Sequence, residues 1–334
     1  MTVRPERRIP ARVTPLAKMY IDACDAELQA LKPGNVSIFG QGHGMCCADF
    51  AESARLSAPM VVNFERPLGE RIFRAVSATR DRVGCNTNLG ILLLCAPLLQ
   101  AAWTMRPGLR LRDALLDVLQ ATDVGDARWA YRAIRLAAPA GLGEAPAHDV
   151  SREPQVGLFK AMQAAAGRDR IAYQYSSYYA DIFDFALPWL RKRRSVCGSE
   201  AQAVTDVYMI LLANHRDSHV ERKFGFQRAH ALSVRAGELM EQLLQSDSAQ
   251  DRERALLEED ARLKGEGVNP GTTADLIVAT LLADRLEHYC SGRTRRTSYL
   301  EGREGGLGPE VAGGPDRRID VRDIEKTTEI GGVQ

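Results

Sequence analysis

The chain has 334 residues, 45% of them hydrophobic and 26% charged, the composition of a folded globular protein rather than a disordered or membrane-spanning one. Its 44 Lys and Arg are offset by 43 Asp and Glu, so no global basic field draws nucleic acid or an anionic bilayer, and a polyanion site has to be built locally. Seven scattered cysteines read as reduced cytoplasmic thiols, not as a disulfide framework or a zinc site.

The basic N-terminus (Arg4, Arg7, Arg8, Arg12) lacks a following apolar run, so no secretory leader is expected. Helical periodicity then dominates. Helices are predicted at 16–31, 49–60, 89–103, 111–121, 127–138 and 156–167. The most apolar run, Ile91 to Ala102, is too short to cross a bilayer and contains Pro97, which makes it a core helix. Ile171, Tyr175, Tyr178, Ile182, Phe185 and Trp189 form one stripe at helical spacing, and a second helix carries Val204, Val207, Tyr208 and Leu211. A break at Gly225 separates it from a third, with Leu232, Ala236, Leu239 and Leu243, and a last helix spans 272–289. The expected fold is all-α: a single compact multi-helix bundle over 1–290, with 291–334 as a flexible, Gly- and Arg-rich tail.

Four polar stretches interrupt this pattern. Lys32-Pro33-Gly34-Asn35, followed by Gly40 to Gly44 around His43, can turn backbone N–H groups and a lysine toward an anion, or simply end a helix. Asn86-Thr87-Asn88-Leu89-Gly90 opens the buried helix, where free N–H groups suit phosphate or ribose oxygens and Asn capping is the plain reading. Asp217 to Gly225 places Asp217 and Glu221 on one helical face and His219 and Lys223 on another, at the same corner as Arg222, although a charged run is most often a solvated face. In Asn269-Pro270-Gly271-Thr272-Thr273-Ala274-Asp275, Thr272 and Asp275 have capping-box spacing, which gives Asp275 structural work without a ligand.

Taken jointly and in this order, Lys32 to Val36, Gly42-His43 ahead of Asp49-Phe50 and Ser53-Ala54, Asn86 to Gly90, Asp217 before Arg222 to Gly225, and Asn269 to Leu276 resemble the triphosphoribosyl-dephospho-CoA synthase family over residues 16–290. The resemblance implies an ATP-dependent pentosyl transfer. The 2′-hydroxyl of 3′-dephospho-CoA attacks C1 of the ATP ribose, adenine leaves, and the triphosphate stays on the sugar. It would assign Asp217, Asp49 and Glu70 to acid–base and charge-stabilising work. Lys32, Gly34, Asn35, His43, Asn86, Thr87, Asn88, Gly90, Arg222, Lys223, Asn269 and Gly271 would bind ATP or substrate, and Asp49 and Asp275 would hold Mg²⁺.

Gly44-Met45 stands where citrate lyase-type members carry Asp-Met, and Arg222-Lys223-Phe224-Gly225 stands where they carry Arg-Gly-Gly. These departures look like the divergent branch of archaea and one-carbon-metabolising bacteria. They keep open a methanopterin- or methanofuran-type acceptor. A helical Mg²⁺-dependent ADP-ribosyl-type glycohydrolase and a non-catalytic scaffold are the remaining readings. A cytoplasmic enzyme without nucleic-acid or membrane partners is expected, and its apolar helical faces suit a homodimer or one large core equally.

Overall fold

The computed structural model describes residues 14–106, 108–246 and 248–301. Contacts divide the chain into Met1–Thr294, the helical bundle, and Arg295–Gln334. Among the described residues there are fourteen α-helices and one π-helical turn, with no strand beyond two isolated bridges, Ser37 to Gly40 and Gly42 to Met45. The all-α expectation holds.

The helix α4 (Leu89–Thr104) forms the centre because it is apolar on every side, which leaves it no solvent face. Around it pack α2 (Cys47–Val61), α3 (Leu68–Val83), α5 (Leu111–Gln120), α6 (Val124–Ala137) and α8 (Arg170–Ser176). Pro97 lacks the N–H that would reach the Leu93 carbonyl, a gap of the kind that weakens helix interiors. Two fully buried phenols fill it. Tyr175 Oη donates to the Leu93 carbonyl at 2.7 Å and Tyr179 Oη to that of Leu94 at 3.0 Å.

That clamp changes the helix expected over 171–189. The chain leaves α8 through Tyr178 and Tyr179 in the left-handed region (φ 54° and 60°), where bulky side chains are rare, and re-enters helix by a π-helical turn, Asp181–Ala186, and α9 (Leu187–Arg194). The stripe is therefore three short pieces. Arg112 helps hold the reversal, its Nε donating to the Tyr178 carbonyl at 3.0 Å.

The opening helix α1 (Thr14–Leu28) packs on α2, and α7 (Leu158–Ala165) on α8. The helix α10 (Glu200–Asn214) packs on α12 (Phe226–Gln245), with α11 (Ser218–Phe224) bent off at Gly225, whose φ of 87° suits glycine. Two helices go beyond the sequence expectation, α3 and α13 (Ala249–Gly265). Both carry many charges, and α3 still buries Leu68, Ile72, Ala75, Val76 and Thr79 as one stripe. The final helix α14 (Gly271–Glu301) runs past the end expected at 289. Most of the expected tail lies outside the described residues. Among those described, no helix is long and apolar enough to cross a membrane.

Candidate active site

A cavity of about 580 Å³ opens where the starts of α4 and α14 meet α11, closed on the far side by α6, α7 and α8. Its size lies within the range of roughly 300–1,000 Å³ usual for small-molecule sites. Asn86, Gly90, His43, His219, Thr272 and Asp275 line one wall, with Arg222 beside them.

Asp217 builds that wall without facing the cavity. Its Oδ1 accepts from the N–H groups of His219 (2.9 Å) and Val220 (3.0 Å), and its Oδ2 accepts from the N–H (2.7 Å) and hydroxyl (2.8 Å) of Thr273. One buried carboxylate thus staples the start of α11 to that of α14. Thr272 adds a second tie, its Oγ1 lying 3.1 Å from Ser218 Oγ and accepting from the His219 N–H at 3.2 Å. The capping-box reading of Thr272 and Asp275 does not hold, because Thr272 is engaged with α11 and the Asp275 carboxylate is released to the cavity.

Asp275 makes no hydrogen bond among the described residues. Burial, then the like charges of Asp217, Glu27 and Asp169, push its pKa well above the ordinary 3.8. Its Oδ2 lies so close to α4 that a Cβ on Gly90 would stand 2.0 Å away, so glycine there is what admits the carboxylate. On the same wall, burial pushes the His219 pKa below its ordinary 6.5, partly offset by Asp217 and reinforced by Arg222, Lys223 and His43, which favours the neutral imidazole. His219 Nδ1 is also the nearest atom to Gly271, 3.0 Å from where a Cβ would be.

Arg222 is aimed by an ion pair with Asp169, itself the N-cap of α8, and its Nε is buried with no partner. His43 Nε2 donates to the Gly34 carbonyl at 2.8 Å, fixing the turn that carries it.

A family model described as ATP:dephospho-CoA triphosphoribosyl transferase matches residues 14–294. The chain belongs to this family. A curated relative from Pseudomonas savastanoi pv. phaseolicola, described as a 2-(5''-triphosphoribosyl)-3'-dephosphocoenzyme-A synthase, is 29% identical over 106 residues. That match covers 32% of this chain and 36% of the relative, so the chain matches about a third of that protein's length. A crystal structure from Archaeoglobus fulgidus, described as a triphosphoribosyl-dephospho-CoA synthase, is similar at a TM-score of 0.55 and 22% identity over 70% of this chain and 96% of that one. At that identity the likeness concerns the fold.

Against this family background, the residues singled out from sequence divide into those at the cavity and those behind it. His43, Asn86, Gly90, Arg222 and Asp275 line it. Gly271 touches His219, and Asn269 Oδ1 accepts from Asn35 Nδ2 at 2.8 Å, one layer back. Gly34 is locked against Pro270 and Val268, with its N–H on Asp260 Oδ1 at 2.9 Å. Thr87 and Asn88 are buried, paired with Ser53 Oγ (2.6 Å) and Thr79 Oγ1 (3.1 Å).

Besides Asp217, four charged candidates do not line the cavity. Lys32 is fully buried, its Nζ 3.1 Å from Glu27 Oε1 and donating to the Val36 carbonyl at 2.8 Å. Lys223 is exposed and donates to the Gly267 carbonyl at 3.2 Å. Asp49 closes the first turn of α2 by accepting from the Cys46 N–H at 2.7 Å. Glu70 is held by Arg74 (2.7 Å) and Arg66 (2.5 Å), which keep its pKa low.

Sequence reasoning passed over two cavity residues. His219 was read as part of a charged face, and only its seat beside Gly271 and Thr272 marks it otherwise. Arg168, exposed between α7 and α8, stands in the short charged run Arg168-Asp169-Arg170, which reads as a solvated surface.

Proposed function

We propose that the chain transfers the triphosphoribosyl group of ATP to the 2′-hydroxyl of 3′-dephospho-CoA and releases adenine. The bond from C1 of the ribose to the adenine nitrogen breaks and a bond from C1 to the acceptor oxygen forms. The hydroxyl proton passes to His219 and from there, by way of solvent, to the departing adenine nitrogen.

The observation that carries this reading is the pairing, in one cavity, of a carboxylate without hydrogen-bond donors and a neutral imidazole. Positive charge that builds at C1 as adenine leaves is stabilised by an unsatisfied carboxylate, Asp275. A hydroxyl nucleophile needs a base in its unprotonated form, which His219 supplies near neutral pH. Arg222 lines the same wall and suits the triphosphate, whereas the first N–H of α4, that of Leu89, is capped by Asn86 Oδ1 at 3.2 Å. Asp217 acts through its neighbours, holding His219 and Asp275 in register.

Mg²⁺ belongs to this proposal. Among the described residues no three His, Cys, Asp or Glu side chains are grouped to hold a metal. The donor set nevertheless fits Mg²⁺, which is usually held through one or two carboxylates, substrate phosphates and water. Asp275, crowded by like charges, is the residue that would hold it, and the ion would neutralise phosphate charge. Asp49, committed to its helix turn, would not.

A cytoplasmic setting completes the reading, supported by seven cysteines that form no disulfide among the described residues, and a homodimer formed through apolar helical faces is part of the same proposal. The match to the triphosphoribosyl transferase family does not favour a one-carbon-cofactor acceptor or a glycohydrolase. The test is product analysis. ATP, Mg²⁺ and dephospho-CoA incubated with the purified protein should yield free adenine and an acceptor heavier by one triphosphoribosyl group. ADP or AMP as the only nucleotide product would refute it.

A further inference from the structure

The cavity is chemically divided. The wall formed by α4, α11 and α14 carries Asn86, His219, Arg222, Thr272 and Asp275 beside Leu89 and Leu93, whereas the one opposite, from α6, α7, α8 and the segment joining α6 to α7, is mainly apolar, presenting Ile134, Leu142, Ala161, Met162 and Ile171 with Tyr131, Glu144, His148 and Asp169 among them. That segment is seated tightly. Gly141, at φ 71°, lies where a Cβ would stand 2.6 Å from the Arg222 carbonyl, and Tyr131 Oη donates to the His148 carbonyl at 2.6 Å. At the rim of the apolar half stands Arg168, exposed, close enough to Tyr131 to act on its titration, and in no ion pair among the described residues.

We infer that this apolar half, with Arg168 at its rim, is the acceptor's subsite: it takes the long, weakly polar arm of a nucleotide-type acceptor and anchors the adjoining diphosphate. The inference rests on the triphosphoribosyl-transfer reading and assigns its two substrates to separate halves. Both are polyanions, so each needs its own positive group. Arg222 stands with Asp275 and His219, and this fixes the ATP sugar and triphosphate to the polar wall. Among the described residues that line the cavity, Arg168 is the second arginine, and it lies on the far side. An aliphatic wall gives a triphosphate nothing but desolvation, whereas an arm of methylene and amide groups buries apolar area there.

The test is equilibrium binding to the full chain, measured calorimetrically for ATP and for dephospho-CoA separately. Arg168→Ala should weaken dephospho-CoA about tenfold, the loss of one charge-assisted contact, and ATP less than twofold. Met162→Trp, which fills the apolar half, should weaken dephospho-CoA at least tenfold and spare ATP. Unchanged dephospho-CoA affinity in Arg168→Ala, or a loss that falls on ATP instead, would overturn the assignment. Arg168 is a surface residue, so its variant carries the test even if Met162→Trp does not fold. Failure of the wild type to release adenine would count against the transfer reaction alone, because the binding pattern is read without turnover.

Discussion

Replacing Gly90 by alanine perturbs the proposed chemistry without touching any polar group. The new methyl would lie 2.0 Å from Asp275 Oδ2, 2.7 Å from its Cγ and 3.4 Å from its Cβ. The carboxylate must recede by about 1 Å, a displacement that typically costs about 100-fold in rate, or about 2.7 kcal/mol of barrier. The fold should tolerate the change, because the atoms that give way are the far end of a side chain. Alanine is also favoured over glycine in a helix by about 0.5–1 kcal/mol. We therefore expect Gly90→Ala to lower kcat for adenine release about 100-fold by chromatographic assay, with Tm moved by no more than a few degrees. Gly237→Ala is the control, since its added Cβ meets only Ala213 Cβ at 3.8 Å, and it should keep full activity. Wild-type kcat in Gly90→Ala would show that the position of Asp275 does not matter to the reaction, and the argument for its role would fail.

Asp275→Asn should abolish adenine release yet raise Tm at neutral pH, in the range of about 1–2 kcal/mol common for relieved functional sites. The sign follows from its raised pKa. A carboxyl whose folded pKa lies above 3.8 loses stability as pH rises through that folded value, so the advantage of the amide should fade on acidification toward about pH 4. A lower Tm for Asp275→Asn across that range would contradict this electrostatic account. Tyr175→Phe strips the Leu93 carbonyl of its donor beside Pro97 and should cost about 1–3 kcal/mol in denaturant unfolding, with KM for ATP unchanged. Lys32→Ala leaves Glu27 buried and unpaired, so about 3–5 kcal/mol of stability should go; a raised KM for ATP at unaltered Tm would instead place the lysine on the triphosphate. The transfer rate should rise with pH through a value below 6.5 and then level off, because His219 must be neutral, and His219→Asn should remove that limb.

How much of this was legible in the sequence depended on what each residue answers to. The apolar surround of α4 is a property of its own residues, so the core helix could be read directly. In α13 the charges outnumber the buried positions, and in α3 they outnumber the buried apolar side chains, so the stripe emerges only once partners such as Asp260 with Lys264 are in place. The stripe from Ile171 to Trp189 kept helical spacing, but the reversal at Tyr178 and Tyr179 answers to carbonyls of α4 beside Pro97, that of Leu93 freed by the proline and that of Leu94 next to it, about eighty residues away along the chain. At the cavity, stretches marked by glycines, asparagines and charges come together, with His43, Asn86, Gly90, Arg222 and Asp275 in its lining. Those marks could not say which side chain in each stretch faces inward, because that is decided by hydrogen bonds between stretches.

The carboxylates show why this distinction bears on function. Asp217 receives four hydrogen bonds, Asp49 a backbone N–H within its own helix, and Glu70 two guanidinium groups. Each is satisfied in the resting fold, so charge appearing nearby gains little from it. Asp275 has no hydrogen-bond donor among the described residues and sits among like charges, a position relieved when something positive arrives. A developing oxocarbenium ion is such a species, as is a divalent cation carried in with the triphosphate. In the proposed mechanism the chemical work therefore falls to the carboxylate the fold leaves unsatisfied, and the better-bonded ones, Asp217 above all, keep it where it is.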